Sequence, residues 1–313
     1  MQMRSYGVRL VLLTTMVLPL VSCQYLDLLQ AMKVFKDANT FYQRADYELA
    51  AEMYEEVIAN DPNMMDAYFY LANSYDNLYR PALRGEPDND VLLDKAIDNY
   101  ISSVDIQTNP AMRTLSMQYL VSAFGPDKKN DPASSEPVLQ QMIEVDPENP
   151  DNYFALAKLY EDSGLYAESE QVFLQVLDLR ADDPTVYLQM AGFYDRNEEF
   201  DKTMDALRQR SAIEPDNPEA FYTIATKYWE KAFRDFRLTD DEEEEYVMLG
   251  LTEVDKALEL NTDYVEALTY KNILMRMQAN LTEDLDLREQ LIDEADVLRD
   301  RAQELQDRRT SGA

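Results

Sequence analysis

Histidine is absent from this 313-residue chain, cysteine and tryptophan each occur once, and glycine only seven times. Without histidine there is no imidazole base, no His–Asp triad and no histidine-ligated metal. A single cysteine forms neither an internal disulfide nor a multi-thiolate zinc site. Scarce glycine together with 46% apolar residues points to a helical, well-packed chain and away from a β-sandwich, a collagen or a disordered tail. Basic side chains are also in short supply, 29 against 61 acidic, for a net charge of −32. A field of that sign repels phosphate, so no nucleic-acid partner is expected.

What is present begins with residues 1–22, which carry Arg4 and Arg9 and no acid, and an apolar run from Leu10 to Leu20 broken by Thr14, Thr15 and Pro19. A bilayer-spanning helix needs about 20 apolar residues, so the run fits the core of a secretory signal better. It ends in Leu20-Val21-Ser22-Cys23, which resembles the lipobox of bacterial lipoproteins. The alternative is a short hydrophobic helix with a chance cysteine at its end. The resemblance implies that Cys23 is lipidated and becomes the new N-terminus, a membrane anchor rather than a thiol. Loss of 1–22 removes two arginines and no acid, which takes the net charge from −32 to −34. Gln24 follows the cysteine; by the rule for enteric bacteria the resemblance implies an outer-membrane lipoprotein facing the periplasm.

The remainder repeats. Pro150, Pro184 and Pro218 are 34 residues apart, and at the same interval lie Tyr153, Tyr187 and Phe221, then Leu156, Met190 and Ile224, then Ala157, Ala191 and Ala225, then Tyr160, Tyr194 and Tyr228. Within one unit Tyr153, Leu156, Ala157 and Tyr160 share one helix face. Gly164 marks a turn, and Tyr166, Ser169, Phe173, Val176 and Leu177 form the facing stripe of a second helix. Proline after the second helix ends it and suits the first turn of the next. The chain resembles the tetratricopeptide-repeat (TPR) proteins over most of residues 23–313. A single hairpin cannot bury its own apolar face, so the expected fold is all-α, an α-solenoid of about six stacked hairpins.

Unit one is expected at 31–64. Unit two starts at Met65 and absorbs extra residues around Arg80 to Leu93, where Asp88, Asn89 and Asp90 suit a solvated turn. Unit three, roughly 111–149, is degenerate around Gly125-Pro126 and Asn130-Asp131-Pro132. Units four and five are regular. Unit six has lengthened helices, the second starting at Thr239, where Thr239 and Glu242 form a capping-box pattern. The solenoid thus occupies 23–263 and a helical C-terminal cap 264–313. Thr282 is the expected cap of the last helix, and Arg308 to Ala313 is expected to fray. Leu291, Ala295, Leu298, Ala302 and Leu305 suit either a coiled-coil seam or a helix closing the open end of the stack, and the short stripe favours the latter.

No nucleophile motif, phosphate loop or metal cluster stands out, so no enzyme, metal or cofactor is expected. The acidic run Asp240–Glu245 lacks the ligand alternation of a calcium loop and suits a helix N-terminus. In the TPR fold the first helix of each hairpin lines an inner groove. The resemblance places Phe35, Phe69, Phe154, Leu188 and Tyr222 there as a ladder of apolar groups. Asn39 and Asn73 lie a turn further on, with Tyr42, Asp76, Glu161, Asp195 and Trp229 beyond them. Aromatic rungs offer anchors, amides can bond an extended backbone, and acids select basic or uncharged segments. The alternative is that these rings pack against neighbouring helices. The expected function is a lipid-anchored adaptor for envelope proteins; the alternative is a lipoprotein that captures a solute or glycan in the groove.

Overall fold

The computed structural model describes residues 28–311. Cys23 and the signal-like segment lie outside the described residues. Helix α1 covers 28–43. It is followed by α2 (Tyr47–Asn60), α3 (Met65–Leu78), a single 3₁₀ turn at Pro81–Leu83, α4 (Pro87–Ile106), α5 (Pro110–Phe124), α6 (Pro132–Val145) and α7 (Pro150–Asp162). Then come α8 (Tyr166–Leu179), α9 (Pro184–Arg196), α10 (Phe200–Ile213), α11 (Pro218–Arg234), α12 (Asp240–Leu260), α13 (Val265–Leu281) and α14 (Leu285–Ser311). Among the described residues there is no strand. The molecule is all-α, with the helical hairpins expected of an α-solenoid and two further helices after them.

The chain divides into two compact units, one ending at Val172 and the other starting at Phe173. In the first, sequential helices pack in pairs from α2 to α7. Alanines at the crossings, among them Ala38, Ala50, Ala67, Ala72, Ala96 and Ala157, are fully buried and let axes approach closely. In the second, α9 packs on α10, α11 on α12, and α13 on α14.

The punctuation works as the repeat requires. Asn149, Asp183 and Asn217 each accept a hydrogen bond from a first-turn amide and are each followed by a proline that starts the helix. Gly164 takes φ +74°, the left-handed conformation that only glycine adopts without strain. Thr239 and Glu242 form the full capping box at the head of α12.

Three local expectations are corrected. Asp88, Asn89 and Asp90 are not a solvated turn but the first turn of α4. Asn89 is buried, and its amide clamps the Arg80 backbone, accepting from N at 2.8 Å and donating to O at 3.1 Å. The insertion is therefore a 3₁₀ turn leading into one long helix, held by Asn89 on Arg80 and by Asp90, whose carboxylate accepts from the Gly85 amide at 3.1 Å. Thr282 does not cap α14. Asp284 does, accepting from the amides of Asp286 and Leu287 at 3.0 and 3.2 Å. The last helix does not stop at Arg308 but runs to Ser311, with Arg308 paired to Glu304 and Arg309 to Glu266. The heptad stripe is an internal seam: Leu291, Ala295, Ala302 and Leu305 are buried, and Leu298 packs against the same cores.

Candidate functional site

In the first unit the first helices of three consecutive hairpins, α1, α3 and α5, bring Tyr42, Asn73, Asp76, Asn77 and Tyr119 around one polar pocket of about 380 Å³, with Tyr47 and Lys128 at its sides. A hydrogen-bond chain runs beneath it. The Tyr42 hydroxyl donates to Asn73 Oδ1 at 2.6 Å, and Asn77 Nδ2 donates to the same oxygen at 2.9 Å. Asn73 Nδ2 donates to the Tyr100 hydroxyl at 3.1 Å, and that hydroxyl donates to Asp76 Oδ2 at 3.4 Å. Asp76 Oδ1 receives the Lys128 ammonium at 2.5 Å, in a pair whose side chains are only 6% and 21% exposed. Each buried polar side-chain atom of this hydrogen-bond network has a partner, which is what low dielectric demands. Burial pushes Tyr42 up to about 12, and burial beside Asp76 pushes Tyr100 higher still.

The expected ladder is therefore resolved into two kinds of residue. Phe69 and Asn73 are each 5% exposed; Phe69 is no open rung, and Asn73 lies at the floor of the pocket. The Phe69 ring is enclosed by Tyr70, Tyr100 and Tyr119, with centroids 5.4 to 6.0 Å away. Asn73 spends both ends of its amide inside the protein. Phe35 is half-buried, packed on Tyr54 and Tyr70. Asn39 accepts from the Tyr54 hydroxyl at 2.6 Å. Its amide therefore supports the hairpin. Phe154 and Glu161 are half-buried on α7.

What stays open at the pocket is Asn77 Oδ1 and the Tyr119 hydroxyl, neither of which takes part in the network. Spacing missed Asn77, Tyr119 and Lys128. Tyr119 and Lys128 lie in the degenerate third unit, where Gly125-Pro126 breaks the column alignment.

The second unit holds the other candidates. Leu188 is exposed on α9. Asp195 is exposed and pairs with Lys227 at 2.7 Å; Lys227 also holds Glu230 at 2.8 Å. Burial lowers the Lys227 ammonium, but the two carboxylates outweigh it and hold it above its ordinary value, while Lys227 keeps Glu230 below the usual carboxylate range. Tyr222 is half-buried against Tyr264 and Tyr270 and is pushed up to about 12 by burial and those two neighbours. Trp229 is half-buried, stacked on Phe233 at 5.5 Å and edge-on to Tyr270 at 5.2 Å. Beside them Phe200, Phe236, Lys231 and the Asp195–Lys227–Glu230 cluster line a cleft of about 520 Å³. Phe233 and Phe236 were missed, although with Trp229 they follow helical spacing. Among the described residues no group of three His, Cys, Asp or Glu side chains is placed to hold a metal.

Comparison with known proteins agrees with this architecture. Residues 35–90 and 128–191 each match a model of the tetratricopeptide repeat. This chain carries tetratricopeptide repeats. Its structure is similar to the C-terminal part of a TPR repeat-containing protein from Cytophaga hutchinsonii, with a TM-score of 0.55 at 14% identity, covering 87% of this chain and 98% of that one. A tetratricopeptide repeat protein from Parabacteroides merdae aligns at TM-score 0.43 and 12% identity, over 85% of this chain and 98% of that one. YrrB, described as a TPR protein with an unusual peptide-binding site, aligns at 0.41 and 18% over 62% and 91%. No curated protein sequence matches the chain.

Proposed function

We propose that this TPR chain is a lipid-anchored adaptor that holds a protein partner at a bacterial cell envelope. The observation that supports it most is the pocket formed by α1, α3 and α5. It opens on the side of the first helices, its floor is a fully paired polar network, and its rim offers a tyrosine hydroxyl and an amide oxygen with no internal task. A rigid floor with a few unsatisfied polar groups suits an extended backbone. Tyrosine at the rim adds area at small entropy cost. A free solute is a weaker fit, because most polar groups at the pocket already bond one another. The lipobox-like Leu20-Val21-Ser22-Cys23 supports export and anchoring, and Gln24 supports the outer membrane. No helix among the described residues is long and apolar enough to cross a membrane.

The test has two parts. Cys23→Ala moves the protein from the membrane to the soluble fraction of the producing bacterium; a variant that stays membrane-bound refutes the anchor. Affinity capture from crosslinked envelopes recovers one dominant protein with the native chain. Recovery drops at least about tenfold for Asn77→Ala with Tyr119→Ala, a loss of the size seen at interface hot spots. Undiminished capture by that variant rules the pocket out as the partner site.

A further inference from the structure

The hairpin made by α11 and α12 is longer than the one before it. Helices α9 and α10 have 13 and 14 residues, whereas α11 and α12 have 17 and 21. At 1.5 Å per residue the additions amount to roughly 6 to 10 Å of helix. They end in an apolar tip. Phe233, in the added turn of α11, is 66% exposed, and Phe236, in the connection to α12, is 95% exposed. Trp229 stacks beneath Phe233. The tip residues do not support the core, which α11 builds from Ala220, Ile224, Ala225, Tyr228 and Ala232.

Charge is divided at this tip. Between Lys227 and Arg237 stand four basic residues against Glu230 and Asp235, and directly after them comes the wholly acidic run Asp240–Glu245. Arg234 uses Nη1 on Glu230 at 2.6 Å. Arg237 lies bidentate on Asp235, through Nε at 2.7 Å and Nη2 at 2.9 Å. Each guanidinium keeps at least one nitrogen without a partner, and the two side chains are 69% and 77% exposed. In the acidic run Glu242 is committed to the capping box, while Asp240, Asp241, Glu244 and Glu245 are exposed.

We propose that this tip is a self-association surface, on which Phe233 and Phe236 pack against the same pair on a second copy of the chain. A two-fold contact sets the basic part of each tip against the acidic part of the other, because each surface meets its own copy in reverse. A foreign partner of one sign matches only half of the tip. Self-association must also overcome repulsion between two chains of net charge −32. The tip itself carries four basic residues against eight acidic ones between Lys227 and Glu245, so the contact relies on placing the acidic run of one copy on the guanidinium nitrogens that Arg234 and Arg237 of the other leave free. Charges further off are screened beyond about 8 Å at physiological ionic strength. With about 200 Å² per ring, the exposed parts of the two phenyls offer roughly 300 Å² per copy. That is the heart of a small, reversible interface rather than an obligate one.

Analytical ultracentrifugation of the exported chain carrying Cys23→Ala, which leaves the described residues unaltered, tests this. A monomer–dimer equilibrium in the micromolar range is expected. The emission of Trp229, the sole tryptophan, shifts over the same concentrations. Phe233→Ala with Phe236→Ala weakens dimerisation at least about tenfold with an unchanged circular-dichroism spectrum. Arg234→Glu/Arg237→Glu and Glu244→Lys/Glu245→Lys are each monomeric alone, and form a one-to-one dimer when mixed. A chain that stays monomeric throughout, a phenylalanine double variant that dimerises as well as its parent, or charge variants that do not pair on mixing would each overturn the proposal.

Discussion

Asn73 shows how one residue changes meaning between chain and fold. By position it is a groove amide; in the structure its oxygen accepts from Tyr42 and Asn77 and its nitrogen donates to Tyr100. Asn73→Leu should therefore cost about 2–3 kcal/mol in chemical unfolding, since it strands buried hydroxyls while keeping the volume. A loss below about 0.5 kcal/mol, the range of an ordinary surface substitution, would mean the network contributes little. The tyrosines set an alkaline limit. Tyr42 and Tyr222 stand at about 12 in the fold against roughly 10 in an unfolded chain. The unfolded state thus loses its phenolic protons first. The stability tied to the neutral phenols is fully present below about pH 10 and falls as pH rises towards 12. Absorbance at the tyrosinate band, followed with the melting temperature across that window, should show late-ionising tyrosines whose titration coincides with unfolding. Tyrosines that all ionise near pH 10 in the intact fold would contradict this.

At the scale of elements, the capping box was legible because it is local: Thr239 and Glu242 are three residues apart and their chemistry needs nothing from elsewhere. Thr239→Ala is expected to lower stability by about 1 kcal/mol and to increase amide exchange in the first turn of α12. Unchanged exchange there would show that packing alone holds the helix start. In unit two Asp88-Asn89-Asp90 is turn-like in composition, and composition alone favours a turn there. The burial of Asn89 against Arg80, nine residues away, turned it into a helix start. The heptad stripe marks the last helix but not its cap. Thr282 and Asp284 both suit a cap, but Thr282 closes α13, its amide donating to Gln278 O, and Asp284 is left at the head of α14. Phe69 failed in a similar way. A helix period assigns it to a face, but Tyr119, which covers that face, comes from a unit whose spacing is broken.

For the whole molecule the governing quantity is the charge of −32. Many acids are locally compensated, as Lys227 does for Asp195 and Glu230, and Lys231 with Arg237 for Asp235. The excess remains and repels itself in the compact state more than in the open chain. Raising sodium chloride from about 10 mM to about 150 mM, which shortens the screening length from about 30 to about 8 Å, should therefore raise the melting temperature. A fall would mean that attractive ion pairs outweigh the net repulsion. The same excess makes contact with anionic lipid headgroups unfavourable, which leaves membrane attachment, on the proposed function, to the acyl chains at Cys23.

The sequence by itself determined the class of the molecule. Missing histidine, a single cysteine, scarce glycine and a 34-residue period of aromatic, alanine and proline positions leave little besides stacked helical hairpins, because those features act through local periodicity and local turn chemistry. Only the tertiary structure decided which inner-face residues are walls and which are openings. Phe69 and Asn73 went inside, and Asn77 and Tyr119 were left at the rim. The two phenylalanines at the end of α11 were left in water. Exposure depends on what arrives from tens of residues away, and a repeat pattern says where a face is but not what covers it.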